Sequence, residues 1–168
     1  MSTAAIERCI PGPHPHPVYE NSFESKNAMQ KRRNRMTYTK QDLQQDLAAM
    51  GLTGTETILI HSSMKSIGAV EGGADTVLDA LMEFFAEGLL LLPTHTWRSI
   101  DRGNPVFDVR RSPCCVGILP ELFRQRPGVV RSLHPTHSMA ACGRGAAAYL
   151  AGELENNTPC TPGGCYDR

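Results

Sequence analysis

The sequence has no excess of charge of one sign: its 168 residues carry 17 lysines and arginines against 17 aspartates and glutamates. No overall field steers it toward nucleic acid or an anionic membrane surface. Long apolar runs are also missing. The leucine run from Leu89 to Leu92 falls far short of the roughly 20 residues that cross a bilayer, and no basic start leads through an apolar stretch to a small-residue cleavage site. The six cysteines (Cys9, Cys114, Cys115, Cys142, Cys160 and Cys165) contain no C-x-x-C pair, which argues against zinc and for reduced thiols. The G-x-x-x-x-G-K-[ST] phosphate loop, the G-x-G-x-x-G dinucleotide fingerprint and the G-x-S-x-G nucleophile elbow are all absent, and there is no internal repeat. The expectation is a cytoplasmic protein with no metal, nucleic-acid or membrane partner. With 40% hydrophobic residues, a chain of this length can bury one core.

Residues 1–35 differ in composition from the rest. Pro11, Pro13, Pro15 and Pro17 alternate with His14 and His16, and Lys31-Arg32-Arg33-Asn34-Arg35 follows. Two histidines separated by prolines cannot close on one ion without further ligands. The stretch therefore reads as a disordered leader with little to bury. Met36, where globular patterning begins, is a candidate start.

From Met36 onward the pattern is α/β. Thr39 caps a helix expected over Lys40 to Met50, with Leu43, Leu47 and Met50 on one face and Gly51 as its stop. Thr57 to His61 and Leu89 to Pro93 read as buried strands. Between them, Val77, Leu78, Leu81, Phe84 and Phe85 form the apolar stripe of a helix over Gly72 to Glu87. A right-handed crossover makes these strands parallel, with His61 and Pro93-Thr94 at the same ligand-binding edge. Further on, a helix is expected from Val116 to Gln125, a strand at Gly128 to Val130, a helix from Gly145 to Ala151, and a Pro/Gly-rich tail from Thr158 to Gly164. The fold class is α/β, a partly parallel sheet with a βαβ unit and flanking helices.

Candidate chemistry gathers in the loops. His61-Ser62-Ser63-Met64-Lys65-Ser66-Ile67-Gly68, followed by Gly72-Gly73, puts hydroxyls, a lysine and glycines between a strand and a helix, a composition suited to an anion; a plain polar turn is the alternative. In Arg131-Ser132-Leu133-His134-Pro135-Thr136-His137-Ser138, Arg131 can pair with a phosphate and His134 or His137 can accept a proton. Alternatively, the histidines satisfy backbone groups and Arg131 bridges to a carboxylate. Cys114 and Cys115, just before a helix, raise a second option: a thiol nucleophile with a loop histidine as its base.

These segments, together with Leu92-Pro93-Thr94 and Thr158-Pro159-Cys160-Thr161-Pro162-Gly163, occur in an order that resembles the aminoglycoside 3-N-acetyltransferases over about Met36 to Arg168. The resemblance implies direct transfer of an acetyl group from acetyl-CoA to the 3-amino group of an aminoglycoside in a ternary complex. It implies that Ser62, Ser63, Lys65 and Ser66 line the CoA phosphates and pantetheine, with Ser112, Arg131 and Ser132 at the same cofactor. It also implies a base in a distal Asn-Thr-x-x-His-x-x-Glu motif. No segment of this sequence matches that motif, so the chain is expected to be an incomplete copy of a larger three-layer fold, and His134 and His137 remain as stand-in bases.

Overall fold

The computed structural model describes residues 37–168; the expectations for the His-Pro tract, the basic run and Met36 lie outside them. The first helix, α1 (Lys40–Ala49), starts where expected. Thr39 is extended, its hydroxyl accepts from Asp42 N, and the Asp42 carboxylate accepts from Thr39 N at 3.0 Å, a reciprocal capping box. Gly51 follows with φ of 87°, the left-handed conformation that lets the chain leave a helix. Strand β1 (Thr57–Leu59) leads to the short helix α2 (Met64–Ile67), then to α3 (Gly73–Phe84) and strand β2 (Leu89–Pro93). Helix α4 (Ile118–Phe123), strands β3 (Val130–Arg131) and β4 (Met139–Gly143), helix α5 (Ala146–Tyr149) and a 3-10 turn at Glu153–Glu155 complete the described elements.

The sheet order is β1-β2-β4-β3. β1 and β2 are parallel, with Ile58 opposite Leu90, so the expected βαβ unit is present. β4 runs antiparallel to both β2 and β3, which makes the sheet mixed. Strand β4 has no counterpart in the sequence reading. Met139-Ala140-Ala141-Cys142-Gly143 lacks the β-branched and aromatic residues that mark strands, yet it lies between two partners, and Ala140 and Ala141 are fully buried. Small side chains suit that central position because both faces are covered.

β2 shows how the two faces are filled. Leu90 and Leu92 pack with Val77, Leu78, Leu81 and Phe85 of the α3 segment and with Leu119 and Phe123 of α4. Leu89 and Leu91 pack on the opposite face with Met139, Ala141, Ala146, Leu150 and Cys165. Each buried leucine contributes roughly 1.5–3 kcal/mol relative to exposure. The β2 leucines therefore tie both layers to one strand, and the carboxyl end of that strand is held in place. The helices α3, α4 and α5 are shorter at their ends than the apolar patterning suggests, as hydrogen-bonded turns take over the terminal residues.

Candidate functional site

The loop after β1 keeps its polar groups in the open. Ser62, Ser63, Lys65 and Ser66 are all exposed. Ser63 caps α2: its Oγ accepts from Ser66 N at 3.2 Å and lies 2.9 Å from Ser66 Oγ. Among the described residues, neither the Ser62 hydroxyl nor the Lys65 ammonium makes a hydrogen bond or ion pair. Gly72 sits at φ 74° and opens α3; a Cβ there would run into Thr76 Oγ1, so the loop can turn into the helix only with glycine. A hydroxyl and an ammonium left uncommitted beside a capped turn can receive an anionic ligand.

Arg131 is placed differently. Its Nε donates to Ser138 Oγ (3.0 Å) and Thr94 Oγ1 (3.2 Å), its Nη1 to the carbonyls of Ser112 (2.7 Å) and Val109 (3.2 Å), and its Nη2 to the Thr94 carbonyl (2.7 Å). Phe107 lies under the guanidinium, 5.1 Å from ring centroid to Cζ. This arginine ties the end of β2, the start of β4 and the 109–112 loop together. Ser132 and Ser112 are buried in the same framework. Ser132 Oγ accepts from Met139 N (3.0 Å), and Ser112 Oγ accepts from Asp108 N (2.9 Å). These three residues thus differ from the Ser62–Ser66 group: their polar atoms are engaged with the protein itself.

Histidines cluster at the same edge. His134 is 5% exposed, and its Nδ1 accepts from the backbone N–H of His137 (3.0 Å) and Thr136 (3.3 Å). A neutral ring so held carries its proton on Nε2, which is buried with no partner among the described residues. With one nitrogen occupied and the other protonated, His134 has no free lone pair in this arrangement. His137 lies 5.7 Å from it, ring to ring, and its Nδ1 is 2.9 Å from Thr136 Oγ1. Burial lowers the pKa of both rings.

Two further residues belong to the cluster and were not candidates from sequence. His95 Nε2 is 2.6 Å from the Tyr166 hydroxyl, and the His95 ring is 4.7 Å from that of His137. Burial first, and then the neighbouring His137, His61 and His134, push the His95 pKa down to about 4. The position of His95 just past the carboxyl end of the β2 strand was the available signal. Nothing local marks Tyr166, which arrives from 71 residues away.

The thiol alternative is not supported. Burial raises the Cys114 pKa, its sulfur accepts from Val116 N at 3.5 Å, and among the described residues the one bond between a histidine and this pair is backbone to backbone, from Cys115 N to the His95 carbonyl, with no imidazole bonded to either sulfur. A protonated, half-buried thiol is a poor nucleophile. No group of His, Cys, Asp and Glu among the described residues could hold a metal ion, and none of the described helices is long and apolar enough to cross a membrane.

Fold and site together define an α/β protein with its candidate site residues beyond the carboxyl ends of β1 and β2. The profile of the aminoglycoside 3-N-acetyltransferases matches residues 59–168, and the chain belongs to that family. It is 35% identical over 131 residues to aminoglycoside N(3)-acetyltransferase VII of Streptomyces paromomycinus, an alignment covering 67% of this chain and 46% of that protein. It is also 35% identical over 127 residues to the prophage-derived acetyltransferase-like protein YokD of Bacillus subtilis, covering 63% and 47%. Among solved structures, aminoglycoside acetyltransferase AAC(3)-Xa superposes with a TM-score of 0.72 at 32% identity, over 86% of this chain and 57% of that one. AAC-IIIb, solved as a binary complex with CoASH, gives a TM-score of 0.61 at 29% identity, over 69% and 50%. The chain spans about half the length of the curated relatives it matches.

Proposed function

We propose that this chain supplies the acetyl-CoA-binding part of an aminoglycoside N-acetyltransferase that modifies the 3-amino group. The observation that carries the reading is the exposed, uncommitted Ser62 and Lys65 on the loop after β1, within motifs ordered as in the family. Lys65 supplies charge to the CoA phosphates, and Ser62, Ser63 and Ser66 supply hydroxyl donors. Ser112, Arg131 and Ser132 act by holding the adjacent edge in place. The fit to CoA rests on that donor set and on the CoASH complex of AAC-IIIb. The acceptor class follows from family membership and from relatives solved with apramycin and sisomicin.

In the transfer, an amine nitrogen attacks the thioester carbonyl. A base takes the amine's proton, the carbon–sulfur bond breaks, and the departing CoA thiolate takes up that proton to leave as the thiol. His134 is not that base, since its Nδ1 is engaged by two backbone N–H groups. Calorimetry with CoA tests the reading: saturable binding is expected, weakened roughly tenfold in Lys65→Ala by the loss of one charge-assisted contact. No binding by the parent chain, or identical binding by the variant, would overturn the cofactor assignment. Acetyl transfer to a gentamicin-type or neomycin-type acceptor that disappears in His134→Gln, with the fold intact, would overturn the exclusion of His134.

A further inference from the structure

The far edge of the sheet holds a second feature that shares Arg131 alone with the family motifs and the candidate site. Strand β3, separated from β1 by β2 and β4, borders a cavity of about 530 Å³ lined by Arg110, Arg124, Arg126 and Arg131. From four arginines lining one cavity, two of them with guanidinium donors left over, we infer a binding site for a phosphate-type oxyanion, distinct from the Ser62–Ser66 loop.

The lining includes four arginines and, among the described residues, no carboxylate. The acids that pair with two of these arginines lie outside it. Glu121 binds Arg124 through Nε (2.8 Å) and Nη2 (2.5 Å), and Asp75 and Asp79 bind Arg126. These pairs leave donors over. The Nε of Arg126 and the whole Arg110 guanidinium make no hydrogen bond or ion pair among the described residues. Planar guanidinium forks match the oxygens of a phosphate.

Packing fixes the arrangement. Arg124 Nη1 donates to the Arg110 carbonyl at 2.7 Å, and Arg131 Nη1 donates to the Val109 carbonyl, so two of the lining arginines anchor the loop that carries a third. The Arg124 side chain is only 6% exposed, and Val109, Val129 and Val130 contribute an apolar part of the wall. Charges beside such a wall are less screened than on an open surface. Burial, then the charge of Arg124, brings the Arg131 pKa down to about 10, with Cys114 and Glu121 countering part of the fall. An anion in the cavity would offset that repulsion.

The arginine cavity stands independently of the acetyl-CoA reading, and its test keeps the two apart. The probes are pyrophosphate, CoA and dephospho-CoA, each titrated calorimetrically into the parent chain, Arg110→Ala, Arg111→Ala and Lys65→Ala. Arg110 is exposed and its side chain has no partner among the described residues, so its variant is expected to fold, as circular dichroism would show. Arg111 is the control, because its side chain is 91% exposed and does not line the cavity. Saturable pyrophosphate binding is expected, roughly tenfold weaker in Arg110→Ala and unchanged in Arg111→Ala, while Lys65→Ala reports on the loop after β1 alone. If CoA weakens with Arg110→Ala while dephospho-CoA does not, the anion is the 3′-phosphate of CoA. If only pyrophosphate weakens, it is a free phosphate species. An Arg110→Ala variant that binds all three probes like the parent, an equal loss in Arg111→Ala, or no saturable pyrophosphate binding by the parent would overturn the site.

Discussion

The Ser62–Ser66 loop and the Arg131–Ser138 edge look alike as sequence. Both are short, rich in hydroxyls and basic groups, and part of the family's ordered motifs. In the structure they do opposite work. The first is exposed and leaves Ser62 and Lys65 without partners among the described residues. In the second, Ser132, His134 and Ser138 are buried, and the polar atoms of Arg131, Ser132 and Ser138 are bonded to strand ends and loops. A motif residue can thus belong to the ligand or to the scaffold that presents it, and the hydrogen bonds it already makes separate the two.

The sharpest test of that distinction is Arg131→Ala. Its removal leaves the carbonyls of Ser112 and Val109 without their donor and the Thr94 carbonyl with the Ser138 hydroxyl alone. Losing several charge-assisted bonds in a partly buried setting is expected to cost about 3 kcal/mol or more, read as a lower urea midpoint. Arg131→Lys should recover little, because an ammonium cannot span five acceptors in a plane. A variant as stable as the parent but deficient in CoA binding would return Arg131 to the ligand side.

A smaller effect is expected from acidification. His95, His134 and His137 have pKa values lowered in the folded state, so the unfolded chain binds more protons than the folded one. Their contribution is fully present above the unfolded value near 6.5 and is lost as pH falls, for His95 down through about 4. Stability should therefore decline from pH 7 toward pH 5, before the carboxylates begin to protonate. Urea midpoints across that window measure the slope, and His95→Gln should flatten it. A slope unchanged in His95→Gln would mean that this ring is not the one resisting protonation.

Much of this architecture was legible because local and tertiary preferences agree. The Thr39 cap, the stripe from Val77 to Phe85 and the Leu89–Pro93 run each point to the element that forms. β4 was illegible for a physical reason: Ala140 and Ala141 are in the sheet because little space remains between two packed layers, a constraint that only the assembled fold imposes. The site divided in the same way. Exposure of the Ser62–Ser66 loop follows from its position after a strand, whereas the commitments of Arg131 depend on Val109, Ser112 and Thr94, brought in from 19 to 37 residues away. The His95–Tyr166 pair is longer in range still.

The smallest expected effect is on the stability of Lys65→Ala. Lys65 is exposed on the four-residue helix α2, and no ion pair or hydrogen bond among the described residues depends on its ammonium. Alanine is also the better helix former. The urea midpoint should therefore stay within about 0.5 kcal/mol of the parent, although CoA affinity drops. That separation is what a ligand-facing residue requires: its charge is held ready for a partner outside the chain, so removing it changes binding and leaves folding alone. A destabilised Lys65→Ala would mean that the loop uses its lysine as the other edge uses Arg131, and the contrast between the two regions would collapse.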